Sequence, residues 1–307
     1  MDLVEIEDPV EKYEAMTRAA KAADAEPNWD SIWVFDHFHT VPTPEIETTF
    51  ECWTICAAMA RDTERIRIGQ MVTCNGYRNP ALLAKIASTT DVLSHGRLIV
   101  GLGAGWYEHE WLAYGYGFPE TRDRMAAFRE AVEIVHRMWT EERPVFNGKY
   151  YSIDRPINEP KGVQKPHPPL WIGGGGEQVT LKLVAKWGDA CNVGGDVETV
   201  RHKLDVLRRH CDTANRDYDE ILKTSNFSVH LVESEATAGR DTAFARGDRS
   251  LEVYSQGVIV GTPEQVRDRL QPYVDLGVSY FVVTIPRNAY DLDNQNRFAR
   301  EVVPLFQ

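Results

Sequence analysis

Asp36-His-Phe-His39 places one carboxyl and two imidazoles directly after the apolar run Ile32 to Phe35. Three kinds of chemistry suit such a group. One histidine can simply cap a neighbouring carbonyl. A His-x-His pair at an early strand end can ligate a metal, as in barrel hydrolases. Or His37 can serve an organic cofactor or substrate as acid, base or hydrogen-bond donor. The metal reading needs further histidines from middle strands and an aspartate from the last one. The last strand, Tyr280-Phe-Val-Val-Thr-Ile285, carries no Asp, and the strand ends at 173 and 194 are glycine, so no metal is expected.

Two glycine clusters carry further chemistry. Gly173-Gly-Gly-Gly176 joins an apolar strand to a helix. Glycines there leave N–H groups facing outward at a helix N-terminus, which suits a phosphate. A turn needing positive φ is the plainer explanation, but four glycines exceed what a turn requires. Gly101-Leu-Gly-Ala-Gly105 resembles a dinucleotide fingerprint only superficially. Trp106 stands where the third glycine is needed, and no acidic residue ends a next strand roughly twenty positions on. Close backbone approach to a flat ligand, or a tight turn, remains.

The elements that must position these residues repeat one plan: apolar strand, polar or glycine-rich end, amphipathic helix. Ile32–Phe35 is too short for a helix and suits a strand buried on both faces. Further strands are expected at 66–72, 98–102, 170–172, 190–193, 224–231 and 279–285, with a weak one within residues 1 to 8. Helices are expected at 10–23, 49–60, 80–93, 122–139, 177–187 and 200–215, and one opening at Thr262-Pro-Glu-Gln265, a capping-box start. Met125, Phe128, Val132, Val135 and Trp139 form one helical stripe and read as core. Seven clear strands and a weak one favour an α/β fold of the (β/α)8 TIM-barrel kind over an open sheet. The chain is expected to be one domain, 1–307, with insertions at about 141–169 and 233–257. The second carries Arg240, Arg246 and Arg249 and is either a mobile lid or a plain surface insertion.

Composition narrows the partners. Lys and Arg total 34 against 46 Asp and Glu, a net charge of -12, and no basic stripe interleaves with aromatics, so nucleic acid is not expected. The five cysteines (52, 56, 74, 191, 211) are odd in number and scattered, which suits reduced core thiols. No apolar run approaches the ~18 residues of a membrane span, and the acidic start has no signal-like apolar region. A soluble cytoplasmic protein with a small-molecule substrate is expected.

Several segments together resemble the luciferase-like monooxygenase superfamily. They are Trp33-Val-Phe-Asp-His-Phe38, Tyr77-Arg-Asn-Pro-Ala-Leu-Leu-Ala-Lys85, Asp91-Val-Leu-Ser-His-Gly-Arg-Leu98, Gly101-Leu-Gly-Ala-Gly-Trp106, Pro169-Leu-Trp-Ile-Gly-Gly-Gly-Gly176 and Gly261-Thr-Pro-Glu-Gln265. The chain looks most like the deazaflavin branch, which uses coenzyme F420. The resemblance implies a (β/α)8 barrel with insertions, often dimeric, with its cofactor at the C-terminal mouth. It implies that Asp36 and His37 lie at the ring, and that Met71-Val72 is a cis peptide packed beneath it. Ala104 and His109 would line the ring and its side chain, Gly173, Gly174, Gly175 and Gly176 would hold the phosphate, and Val193 would sit near the ring. Hydride transfer to or from a small organic substrate follows, with His37 handling the proton and Glu108 and His109 as further candidates. The alternatives are a reduced-FMN monooxygenase and a non-catalytic flavin-binding protein. The chain departs from sugar-phosphate dehydrogenase relatives in two places. Trp106 stands where they carry a proton-donating Glu, and Val41 and Pro42 replace their Trp. Sugar-phosphate dehydrogenation is therefore not expected.

Overall fold

Short parallel strands, each followed by a helix or loop, recur through most of the computed structural model, which describes residues 3–306. These residues fall into two compact units. One comprises Ser31–Val193 and His202–Leu222; the other comprises Met1–Asp30, Gly194–Arg201 and Lys223–Gln307.

The chain opens with helix α1 (Pro9–Ala25), capped by the Asp8 carboxylate, which accepts from Val10 N. The larger unit then builds strand β1 (Ser31–Val34), helix α2 (Cys52–Asp62), β2 (Arg67–Gln70), β3 (Thr73–Cys74), α3 (Pro80–Leu93) and β4 (Leu98–Gly103). Next come α4 (Glu108–Ala113), α5 (Thr121–Thr140), a hairpin of β5 (Val145–Asn147) and β6 (Ser152–Asp154), β7 (Leu170–Gly173), α6 (Thr180–Trp187) and β8 (Ala190–Asn192). β1 pairs with β2 from Ser31↔Arg67 to Val34↔Gln70, β2 and β3 pair with β4, β4 with β7, and β7 with β8, all parallel. Parallel register puts the residues after β1, the β2–β3 break, Gly103 and Gly173 at one edge.

Local chemistry fixes these elements. Pro80 opens α3 behind an Asn79 cap, and Gly96, at φ 82, turns the chain away after it. Phe128, Val132, Val135 and Trp139 of α5 are buried, and Trp139 Nε1 donates to Ala84 O of α3 at 3.1 Å. Arg97 locks the N-terminal end of β4: its guanidinium donates to Ala60 O, Thr63 O, Thr63 Oγ1, Ile66 O and Ser94 O. Asp91, fully buried, accepts from Val163 N, Gln164 N and Gln164 Nε2 and ties down the segment before β7.

Under the edge, glycine provides space for large neighbours. A Cβ on Gly103 would lie 2.5 Å from Val72 Cγ2, and one on Gly173 would lie 2.7 Å from Val72 Cγ1. A Cβ on Gly101 would meet Gln70 O at 1.8 Å. The Met71-Val72 bond is cis and separates β2 from β3.

The smaller unit continues after α7 (Val197–Ala214), which the two units share. Its strands are β9 (Leu222–Leu231, entering the unit at Lys223), β10 (Ile259–Gly261) and β11 (Tyr280–Thr284). β9 is central, parallel to β10 and to β11. Val229, Leu231, Val266, Leu270, Ile285, Phe298 and Val302 form its core. Residues 233–257 fold into three short helices, α8 (Ala238–Asp241), α9 (Ala243–Arg246) and α10 (Leu251–Ser255). Helix α11 (Pro263–Asp275) starts with the expected capping box of Thr262 and Gln265. Short helix α12 (Asp293–Arg297) follows β11.

Three expectations are corrected. The weak strand within residues 1 to 8 is absent from the described part, residues 3–8. Glu5 there is instead ion-paired to Arg287, and its backbone N–H donates to Tyr290 Oη at 3.0 Å. The additional parallel strand is β10, three residues long and therefore too short for its pattern to register. The helix expected from Glu177 starts at Thr180, because 177–179 form a turn.

Candidate functional site

His37 follows β1 at the C-terminal edge of the larger unit's sheet, and its side chain is 17 % exposed. Its Nδ1 lies 2.9 Å from Glu110 Oε2. Glu110 is the third residue of α4 and is fully buried. Its four contacts saturate it. Tyr77 Oη donates to Oε2 at 2.6 Å, while Phe38 N and His39 N donate to Oε1 at 2.6 and 2.8 Å. Burial pushes the Glu110 carboxyl up, but the hydrogen bonds from His37, Tyr77 and His39 N together outweigh it and hold the group below its usual value. Glu110 is therefore an anion and only accepts. The proton in the His37–Glu110 bond must then be carried by His37 Nδ1, which leaves Nε2 as the working nitrogen. The Tyr77 hydroxyl, raised by burial and by Glu110, stays protonated and donates.

Asp36 takes no part in this pair. It accepts from Arg78 through two bonds of 2.7 and 2.9 Å and from Cys74 N at 2.8 Å, and it is 3 % exposed. Arg78 also pairs with Glu51, the N-cap of α2. Its ion pairs with Asp36 and Glu51 outweigh the effect of burial and raise its pKa. The Asp36 carboxylate thus ties the end of β1 to the residues after β3, and its bonding capacity goes to protein rather than to a ligand.

The 106–110 segment differs from its expected form. Strand spacing would put Glu108 and Glu110 on one face. The segment is instead a loop entering α4, so Glu108 and His109 are exposed while Glu110 turns inward. Glu108 makes no contact with His37; Glu110 is the carboxylate that does. His109 Nδ1 lies 3.1 Å from His39 Nδ1. A signal for Glu110 existed in its helical spacing from the buried Tyr107, but the short helix hides it from periodicity.

Met71 is buried, Val72 and Ala104 are half-buried, and Val193 is fully buried. The four glycines divide. Gly173 ends β7 and is a packing position against Val72. Gly174, at φ 110, has its N–H bonded to Asn192 O at 3.1 Å, so it is not among the free donors expected there. Gly175 and Gly176 lead into the turn before α6. A Cβ on Gly174 would meet only Thr180 Cγ2 at 3.7 Å, and one on Gly175 the Lys203 Cε at 3.4 Å. Lys203 Nζ and His202 Nε2 both engage Glu177 Oε1, at 2.6 and 3.0 Å. Lys203 lies on α7 with nothing nearby in sequence to mark it as a site residue. Among the described residues no group of three or more His, Cys, Asp or Glu could hold a metal.

Comparison with known proteins gives this geometry a context. The luciferase-like monooxygenase family model matches residues 4–247. An F420-dependent glucose-6-phosphate dehydrogenase of Kineococcus radiotolerans is 29 % identical, with 92 % of this chain and 90 % of that protein aligned. Its counterpart from Amycolatopsis mediterranei is 26 % identical over 90 % and 89 % of the two chains. Among solved structures, an F420-dependent secondary alcohol dehydrogenase in complex with an F420-acetone adduct superposes with a TM-score of 0.77 at 19 % identity, covering 97 % of this chain and 96 % of that one. The EDTA monooxygenase of Chelativorans gives 0.80 at 20 % identity, covering 96 % and 86 %. The fold is accordingly the α/β (β/α)8 barrel with insertions. With its family model spanning most of its length, the chain belongs to the luciferase-like monooxygenase family.

Proposed function

We propose that the protein is a coenzyme F420-dependent oxidoreductase that moves a hydride between the deazaflavin and a small organic substrate. The observation that carries this reading is the His37–Glu110 pair at the end of β1, with one imidazole nitrogen held and the other left for substrate. Relatives named as F420-dependent dehydrogenases, aligned over about nine-tenths of both chains, support the choice of cofactor.

The residues present fit such a group. Gly174 and Gly175 leave a cradle that a side chain would begin to fill, and the stem of Lys203, whose Nζ is paired with Glu177, lies beside it. Gly175, Gly176 and the start of α6 would hold the phosphate, with Gly174 leaving room for it. Val72, Ala104 and Val193 would lie near the ring. The bound deazaflavin supplies a carbon that accepts or returns a hydride. The protein supplies the proton chemistry. As a substrate carbinol C–H pair leaves as hydride, its O–H proton passes to His37 Nε2 and a carbonyl forms. Glu110 then stabilises the imidazolium through Nδ1. In reverse, the imidazolium returns the proton to the carbonyl oxygen.

A reduced-FMN monooxygenase is the second reading, favoured by the superposition on EDTA monooxygenase. A non-catalytic flavin-binding protein is the third. Titrating the purified chain with F420 and with FMN while following tryptophan fluorescence separates the first two. Submicromolar quenching by F420 alone is expected, and preference for FMN would overturn the assignment. We also propose a single (β/α)8 domain over 1–307 that works as a homodimer in the cytoplasm. Five buried free cysteines support a reducing compartment, and no helix among the described residues is long and apolar enough to cross a membrane. Light scattering on the purified chain tests the dimer.

A further inference from the structure

The residues around His37 bear on the substrate as well as the reaction. Trp106 follows Gly105, whose φ is +80 and whose Cβ, were there one, would lie 2.5 Å from Cys74 Sγ. The loop is therefore fixed from behind, and Trp106 is held outward, 61 % exposed. Its ring stands edge-on to His37 at 5.8 Å and packs on Tyr107 at 5.2 Å. From Tyr107 the ring contacts continue through His109 at 5.9 Å, His39 at 5.1 Å and Tyr114 at 5.6 Å. An unbroken aromatic arc thus borders the working histidine.

The charges there are of one sign. Among the described residues, the hydrogen-bond, ion-pair and ring partners of His37 and Trp106 are Glu110, Tyr107 and each other, with no lysine or arginine among them. Arg78, near the end of β1, is already matched by the carboxylates of Asp36 and Glu51. Glu110 is a buried anion directly behind His37, and Glu108 is exposed two residues from Trp106. A phosphorylated substrate would meet negative charge without a countercharge. A neutral planar one would meet ring faces and edges, to which apolar and aromatic groups bind.

We propose that this mouth takes an uncharged, aryl-bearing or similarly apolar alcohol or carbonyl compound, with Trp106 as the residue that selects it against sugar phosphates. The inference rests on the oxidoreductase reading for its alcohol and carbonyl pair, but the binding it describes stands by itself. The test compares two probes that share a ring and differ in charge, acetophenone and phenyl phosphate, with glucose 6-phosphate as a third. Binding to the full-length protein is measured by calorimetry, with and without F420. Acetophenone is expected to bind at least about tenfold more tightly than either phosphate. Trp106→Ala should weaken acetophenone about three- to tenfold, the worth of one aromatic contact, while Trp106→Phe keeps most of the affinity. Tighter binding of either phosphate, or an unchanged acetophenone affinity in Trp106→Ala, would overturn the proposal. Failure of the two readings is distinguishable. F420 binding with no preference for acetophenone sinks the substrate inference alone, and acetophenone binding without F420 binding sinks the cofactor assignment alone.

Discussion

At the scale of single residues, one buried carboxylate decides which nitrogen of His37 can work. His37→Ala removes the proton carrier, and kcat should fall by about 10²–10⁴ while F420 affinity stays within several-fold, measured by steady-state kinetics and fluorescence titration. Glu110→Gln replaces a charged partner by a neutral one. Loss of a hydrogen bond to a charged group is worth about 1.5–3 kcal/mol, so kcat should drop about 10- to 100-fold with KM little changed. Glu108→Gln, altering an exposed side chain, should leave both constants near the starting values. A stability signature accompanies Glu110. Its carboxyl is depressed in the folded chain, so its contribution is complete above the ordinary glutamate value of about 4.3 and is lost as pH falls through the lower folded value. Urea unfolding of the parent should therefore weaken on acidification over that window, and Glu110→Gln should flatten this part of the profile.

At the scale of elements, Val72 and three glycines form one fitted unit. Gly103→Val or Gly173→Val drives a side chain into Val72, and overpacking of this kind costs about 1–3 kcal/mol. Adding Val72→Ala should restore much of the loss, because the clash is with its two methyl groups; a double-mutant cycle by urea denaturation reads the coupling. Gly175→Val acts otherwise. Its side chain would face Lys203, so unfolding free energy should hold while F420 affinity falls at least tenfold. These cases show what the sequence makes legible. β4 and β7 are apolar runs ending in glycine, and β1 is apolar from Ile32, all readable in the sequence. Val72 as the reason for those glycines is not, since the partners are roughly thirty to a hundred positions apart. β10 is unreadable because three residues carry no period, although Gly261-Thr-Pro-Glu-Gln265 marks the helix after it. Glu110 is hidden for a related reason: α4, from Glu108 to Ala113, is too short for its period to show. The resemblance motifs around Asp91 and Arg97 prove to be scaffold: Arg97 braces the N-terminal end of β4 and Asp91 ties down the segment before β7.

At the scale of the whole molecule, cofactor binding should register as stability. F420 at about a hundredfold over its Kd should add about 2.7 kcal/mol to the unfolding free energy, read as a midpoint shift in denaturant, and FMN at equal concentration should add far less. The distribution of thiols has a separate consequence. Cys52, Cys56, Cys74, Cys191 and Cys211 are all buried, and all five belong to the larger unit. Burial pushes Cys74 up to about 12 and raises Cys52 as well, so neither is a ready thiolate. A thiol reagent applied in pulses during denaturation therefore acts as a clock for one unit and is silent for the other. If labelling and the loss of far-ultraviolet ellipticity share one midpoint, the chain melts as a single domain. Two separated midpoints would mean that the smaller unit, which carries no thiol, opens on its own schedule.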